Sequence, residues 1–137
     1  MARLLEHDAL NILKRAGIMV PRFEVTSSPD ATGQVAERIG APVVIKALIP
    51  VGGRGKAGAI QRAQSPEGAR EVSRNLLGKT LLNFPVKEVL VSEALEIKEE
   101  YFVSITFDSM SRKPLVLFSS LGGVDVEEIS EKDPDSL

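Results

Sequence analysis

The densest chemical signal in the sequence is Gly52-Gly53-Arg54-Gly55-Lys56-Ala57-Gly58, seven residues that hold four of the chain's 11 glycines and two cations. Glycine lets a backbone come close to an anion and reach positive φ, so such a loop can close over phosphates with its N–H groups. Gly53, Gly55 and Gly58 satisfy G-x-G-x-x-G, but a dinucleotide site needs a helix to open at the loop. Here Ala59-Ile60-Gln61-Arg62 reads as extended, and the next helix cap is Ser65. A Walker A loop also fails, because Ala57 follows Gly55-Lys56 where Ser or Thr is required. What remains is strand, glycine loop, strand: a flap. Arg54 and Lys56 would add charge-assisted bonds of roughly 1.5–3 kcal/mol each. A flexible hairpin with solvated cations is the competing reading, and Lys46 tips the balance toward a nucleotide site. It shares a strand face with Val44 and Leu48, where an unpaired ammonium is costly unless it snorkels to a rim.

Other chemistry-bearing residues say less. Glu93, Glu96, Glu99 and Glu100 read first as a solvated acidic turn. The functional alternative treats Val89-Leu90-Val91-Ser92 as an edge strand whose backbone meets a base, with Glu100 accepting ribose hydroxyls. His7, the one histidine, lies beside Glu6 and Asp8 on a helix surface with no nucleophile motif near it. No Cys is present, which excludes disulfides, zinc–thiolate sites and thiol catalysis. A net charge of -2 and 4% aromatic residues argue against a nucleic-acid surface.

The elements that must position these groups are marked by local signals. Residues 4–16 form a helix with Leu5, Ala9, Ile12, Leu13 and Ala16 at helical spacing, ended by Gly17. Ser28-Pro29-Asp30 and Ser65-Pro66-Glu67 each supply a cap, a Pro at the first helical position and an acid in the first turn. These predict helices to Ile39 and Leu77, stopped by Gly40 and Gly78. Strands are predicted at 22–26, 43–48, 57–62, 80–83 and 87–92. The run 43–48, nearly all apolar, reads as a strand covered on both faces. Residues 101–108 and 115–119 read as a hairpin, and from Asp125 onward come six acids and one Lys. With 137 residues, 43% hydrophobic and 26% charged, the composition is globular. The apolar run 41–48 is broken by Lys46 and far short of the ~18 residues of a membrane span. Acids at Glu6 and Asp8 stand where a signal peptide has its apolar core, so the expectation is a cytoplasmic protein.

Several ordered blocks resemble the β subunit of succinyl-CoA synthetase. They are Leu4-Leu5-Glu6-His7-Asp8-Ala9, Val43-Val44-Ile45-Lys46, the glycine cluster, Leu76-Leu77-Gly78-Lys79-Thr80-Leu81, Val89-Leu90-Val91-Ser92-Glu93-Ala94-Leu95-Glu96-Ile97 and Gly122-Gly123-Val124-Asp125-Val126-Glu127-Glu128. The resemblance spans essentially the whole chain. It implies an α+β, ATP-grasp fold, of which this is the amino-terminal portion with an incomplete second lobe. Residues 20–95 or so would form the small nucleotide-binding lobe, and 1–19 with 96–137 the start of the second. Lys46 would then bind phosphates under a flap of Gly53, Arg54 and Gly55. Ser92, Glu93 and Leu95 would belong to a hinge that meets the base through its backbone, and Glu100 would hold the ribose. No catalytic side chain is expected within the chain.

The family joins a carboxylic acid to coenzyme A at the expense of ATP or GTP with magnesium, whose ligands are expected outside this chain. The implied partner is an α subunit that carries a phosphohistidine and the coenzyme A site, in the setting of the tricarboxylic acid cycle. Neither nucleic acid nor membrane is implied. Pro50 stands where the family usually has His, and Ser92 where many members have Glu. The Gly-Gly-Val-Asp-Val stretch is similar to ATP-citrate lyase and citryl-CoA synthetase as well, which leaves the acid open. A non-catalytic assembly module, docking through the 115–119 strand, is the alternative from another class.

Overall fold

Ser28 and Ser65 cap their helices as their sequences dictate. Each hydroxyl accepts a hydrogen bond from the backbone N–H three residues on, Ala31 at 3.3 Å and Gly68 at 3.1 Å. In the computed structural model, which describes residues 4–123, these caps open α2 (Pro29–Ile39) and α3 (Pro66–Leu76). α1 spans Glu6–Arg15 and is followed by Gly17 at φ +81°. The acidic run from Asp125 and most of the block that begins at Gly122 lie outside the described residues.

The described residues up to Leu95 form one compact unit and those from Glu96 on a second. α1 clusters with the first unit rather than with residues 96–137. In that unit β1 (Phe23–Thr26), β2 (Val43–Ala47), β3 (Ile60–Ala63) and β6 (Val89–Glu93) make an antiparallel sheet in the order β1-β6-β2-β3. The remaining strands of the unit, β4 (Thr80–Leu81) and β5 (Phe84–Pro85), form a small separate hairpin. Its turn residues Leu82 and Asn83 have φ of 50° and 68°, the left-handed pair of a two-residue hairpin turn. The strand expected at 80–83 is therefore strand only at Thr80–Leu81, and Leu82 and Asn83 form the turn into β5.

Register assigns the two sheet faces. Val43, Ile45 and Ala47 of β2 share a face with Val89 and Val91 of β6 and Ala63 of β3, and all six are buried. Val35, Ala36 and Ile39 of α2 and Ala69 and Leu76 of α3 complete this core. The helices meet through small residues. Thr32 and Ser73 are fully buried with hydroxyls 2.9 Å apart, and Thr26 Oγ1 lies 2.7 Å from Thr32 Oγ1. Such mutual satisfaction is what lets hydroxyls sit in an apolar interior.

The opposite face carries Val44 and Lys46 of β2, both half-buried. That face is covered as well, since Leu48 and the cross-strand neighbours Leu90 and Ser92 are buried, so the run 43–48 is covered on both faces, less completely at Val44 and Lys46. β6 is not the edge strand expected. It is bonded to β1 on one side and β2 on the other, because Phe23–Thr26 supplies a partner that local sequence does not reveal.

The second unit is a hairpin of β7 (Phe102–Asp108) and β8 (Lys113–Ser119) in full register. At its turn, Asp108 accepts from the N–H groups of Met110 and Ser111 at 3.0 and 3.2 Å. Val103, Ile105 and Phe107 lie opposite Phe118, Val116 and Pro114, so one face is apolar throughout, and it is exposed. Among the described residues, no helix is long and apolar enough to cross a membrane.

Candidate functional site

The glycine loop joins β2 to β3 directly, with no helix opening at it, as the strand–loop–strand reading requires. Turns occupy 54–58, and β3 starts at Ile60 rather than at 57. Gly53 and Gly58 hold φ of +70° and +69°, positions where a side chain would be strained. A Cβ at Gly52 or Gly55 would meet nothing within 4 Å, so the loop is open to solvent on those sides. Its own bonds, Ala57 N–H to Gly53 O at 3.2 Å and Ala59 N–H to Arg54 O at 2.9 Å, curl it into a compact turn.

That curl brings Arg54 back over the end of β2. Its Nη1 donates to Ala47 O at 3.1 Å, and its Nη2 to Glu6 Oε2 at 2.6 Å. Lys46 Nζ donates to the other oxygen of the same carboxylate, Glu6 Oε1, at 2.7 Å. Floor lysine and flap arginine thus converge on one anion supplied by the first turn of α1. All three side chains are largely removed from water, at 25% exposure for Lys46, 19% for Arg54 and 20% for Glu6. Burial by itself would raise the Glu6 pKa, but the bonds and charges of Lys46 and Arg54 outweigh it and hold the carboxyl below its ordinary value. Beside the triad, a groove of about 610 Å3 runs between Leu5, which precedes α1, with Ala9 of α1 on one side and Ile49, Gly52 and Arg54 on the other.

Nothing local in the sequence marks Glu6 for this role. An acid in the first turn of a helix reads as a partner of the helix dipole. Its two cations lie 40 and 48 residues away.

The hinge residues fall at the end of β6. Ser92 is buried opposite Val44 and Phe23 in the central sheet. Glu93 pairs with Arg22 Nε at 2.7 Å, and its N–H donates to Arg22 O at 3.0 Å. Ala94 N–H is taken by Pro42 O at 3.1 Å, while Leu95 is exposed. An exposed β6 edge is therefore not what would meet a base; only the chain running out past Glu93 is left for that. Glu100 lies in the second unit. Its carbonyl accepts from Gly122 N–H at 3.0 Å, and a Cβ at Gly122 would come within 2.5 Å of the Glu100 carbonyl carbon. Glycine is what allows that approach. His7 Nε2 lies 3.3 Å from neighbouring Asp8, but the side chain is only 24% exposed and its Nδ1 is buried with no hydrogen-bond partner among the described residues, so it is half-buried rather than the surface residue expected. Among the described residues, no group of three or more His, Cys, Asp or Glu could hold a metal ion.

A family model described as ATP-grasp domain matches residues 3–137. The succinate–CoA ligase [ADP-forming] subunit beta 1 of Archaeoglobus fulgidus is 50% identical over 135 residues, covering 98% of this chain and 35% of that protein. The succinate–CoA ligase [GDP-forming] subunit beta of Thermus thermophilus is 39% identical over 134 residues, again 98% and 35%. Among solved structures, a dinucleotide-forming acetyl-coenzyme A synthetase of Ca. Korarchaeum cryptofilum in complex with coenzyme A, Ca-AMPCP and HgCl+ aligns with TM-score 0.73 and 28% identity. That alignment covers 90% of this chain and 56% of the other. The chain thus spans about a third of the length of the curated relatives it matches. With the mixed helix and strand architecture and a match that runs through nearly every residue, the chain belongs to the ATP-grasp domain family.

Proposed function

We propose that this chain is the nucleotide-gripping part of the β subunit of an ADP-forming acid–CoA ligase. The observation that carries the reading is the convergence of Lys46 and Arg54 on a single carboxylate, at 2.7 and 2.6 Å. Two cations whose donors already meet one anion are arranged to meet the phosphates of ATP or GTP. Phosphoryl transfer asks a protein mainly for position and for neutralisation of charge on the transferring group. Lys46 from the strand floor and Arg54 from the flap supply both, and Gly53 and Gly55 bring backbone close to the phosphates. Of the hinge residues, Ser92 and Glu93 hold the chain to the sheet, the chain past Glu93 through Leu95 lies against the base, and Glu100 takes the ribose hydroxyls. Magnesium would neutralise the phosphates further, on ligands outside this chain.

In this reading the phosphoryl group passes through a phosphohistidine on an α subunit that also holds coenzyme A, in the cytoplasm. The acid is succinate or a close relative such as citrate. Relatives named both ADP-forming and GDP-forming support a nucleotide site whose base preference is set outside the phosphate grip. Kinetics of the complete protein with its partner subunit are the test. Arg54→Ala and Lys46→Ala should each lower kcat/KM for nucleotide by about tenfold or more, the loss expected of a charge-assisted phosphate contact. Unchanged kinetics in both variants would sink the assignment, and turnover with succinate against citrate identifies the acid.

A further inference from the structure

Glu6 presents to Lys46 and Arg54 what a phosphate would present: two oxygens, each on its own cation, at 2.7 and 2.6 Å. We infer that Glu6 is a built-in competitor for the phosphate grip, an internal anion that holds Lys46 and Arg54 until nucleotide phosphates take its place. The inference rests on the proposed nucleotide site and adds a regulatory residue to it.

Three observations carry it. The donors are the same atoms. Arg54 uses Nη2 on Glu6 and Nη1 on Ala47 O, so a phosphate meeting that edge of the guanidinium must share or displace the carboxylate. The exchange also conserves compensation. Partly buried cations stripped of an anion are costly, so departure of Glu6 is favoured only as another anion arrives. Finally, Glu6 sits on an element that can yield. α1 has no fully buried residue, residues 11–16 are exposed along their length, and the groove beside Leu5 and Ala9 leaves the triad room to rearrange.

Binding measurements on the complete protein decide it. The isosteric Glu6→Gln variant keeps the shape and removes the charge. It should bind both ATP and inorganic tripolyphosphate more tightly, by about tenfold or roughly 1.4 kcal/mol, with KM for nucleotide falling in step. A merely structural role cannot tighten binding. Weaker binding by the Gln variant would make Glu6 a brace that aims the cations for nucleotide, and would overturn the competition; unchanged binding would overturn it too. Should the Gln variant fail to fold, Glu6→Asp, which keeps the carboxylate but draws it back by one methylene from the two cations, should show the same tightening to a lesser degree, and its absence counts equally against the inference. Lys46→Ala separates the two layers. If it weakens ATP binding while Glu6→Gln does not tighten it, the nucleotide site stands and the competitor falls. If it leaves ATP affinity unchanged, the nucleotide reading itself has failed.

Discussion

The carboxylate of Glu6 ties α1 to the sheet electrostatically, and that has a pH signature. Its native pKa lies below its ordinary value, with Lys46 and Arg54 overcoming the opposing effect of burial. The stabilisation is therefore fully present above the unfolded carboxylate pKa of about 4.3, and is lost as pH falls through the lowered native value. Thermal melts of wild type and Glu6→Gln, taken from pH 7 downward, should converge as acid protonates Glu6; a gap that stays constant would show that the triad adds nothing by charge. A second residue-scale prediction concerns Gly122, pressed against the backbone of Glu100. Backbone cannot move aside as a flexible side chain can, so Gly122→Ala should destabilise the second unit by about 1–3 kcal/mol, measured by denaturant unfolding. No sequence signal predicts either contact, because each joins residues that are neighbours only after folding. By contrast, Lys46 and the glycine flap were legible at once, since a lysine in an apolar strand and four glycines in seven residues break local rules of composition.

At the scale of elements, what is encoded locally is what the sequence reveals. The Ser-Pro caps fix the starts of α2 and α3 to the residue, since cap chemistry acts over three positions. The hairpin of β7 and β8 is legible from the turn between two strand-forming runs, though β8 starts at Lys113, two residues before the expected 115. Strand order is another matter. Nothing near Val89–Glu93 says that it will lie between β1 and β2, and so its edges look available when they are not. The hairpin of β4 and β5 escapes notice for a different reason: Leu82 and Asn83 lack the Asn-Gly signature of its turn. Because Leu82 holds φ 50°, the double change Leu82→Asn, Asn83→Gly should stabilise the first unit by about 1 kcal/mol, read as a rise in Tm. The hydroxyl cluster between α2 and α3 points the other way. Thr32→Val would leave Thr26 and Ser73 short of a partner and should cost about 1–3 kcal/mol; a neutral result would mean that the buried hydroxyls find other acceptors.

At the scale of the whole molecule, the second unit presents among the described residues an exposed apolar face built from Val103, Ile105, Phe107, Val116 and Phe118, with Ile105 at 75% exposure. A monomer seldom exposes a contiguous apolar patch of this kind without a partner for it. The 137-residue chain by itself should therefore bind a hydrophobic dye and scatter light increasingly with concentration, and Ile105→Lys should reduce both; a monodisperse chain without dye binding would show the face to be tolerable in water. The four-stranded sheet has a consequence in time as well. Its inner strand β6 is the last of the four in sequence, more than 60 residues after β1, which has no other partner in that sheet. On a ribosome adding about 5–20 residues per second, β1 waits several seconds for the strand that will bind it. Over the same interval the newborn β2 and β3 present one unsatisfied border to whatever else is nearby. Translation speed through residues 64–93 thus sets how long the nascent sheet stays open, and synonymous codon changes there would act on folding yield without altering a single side chain.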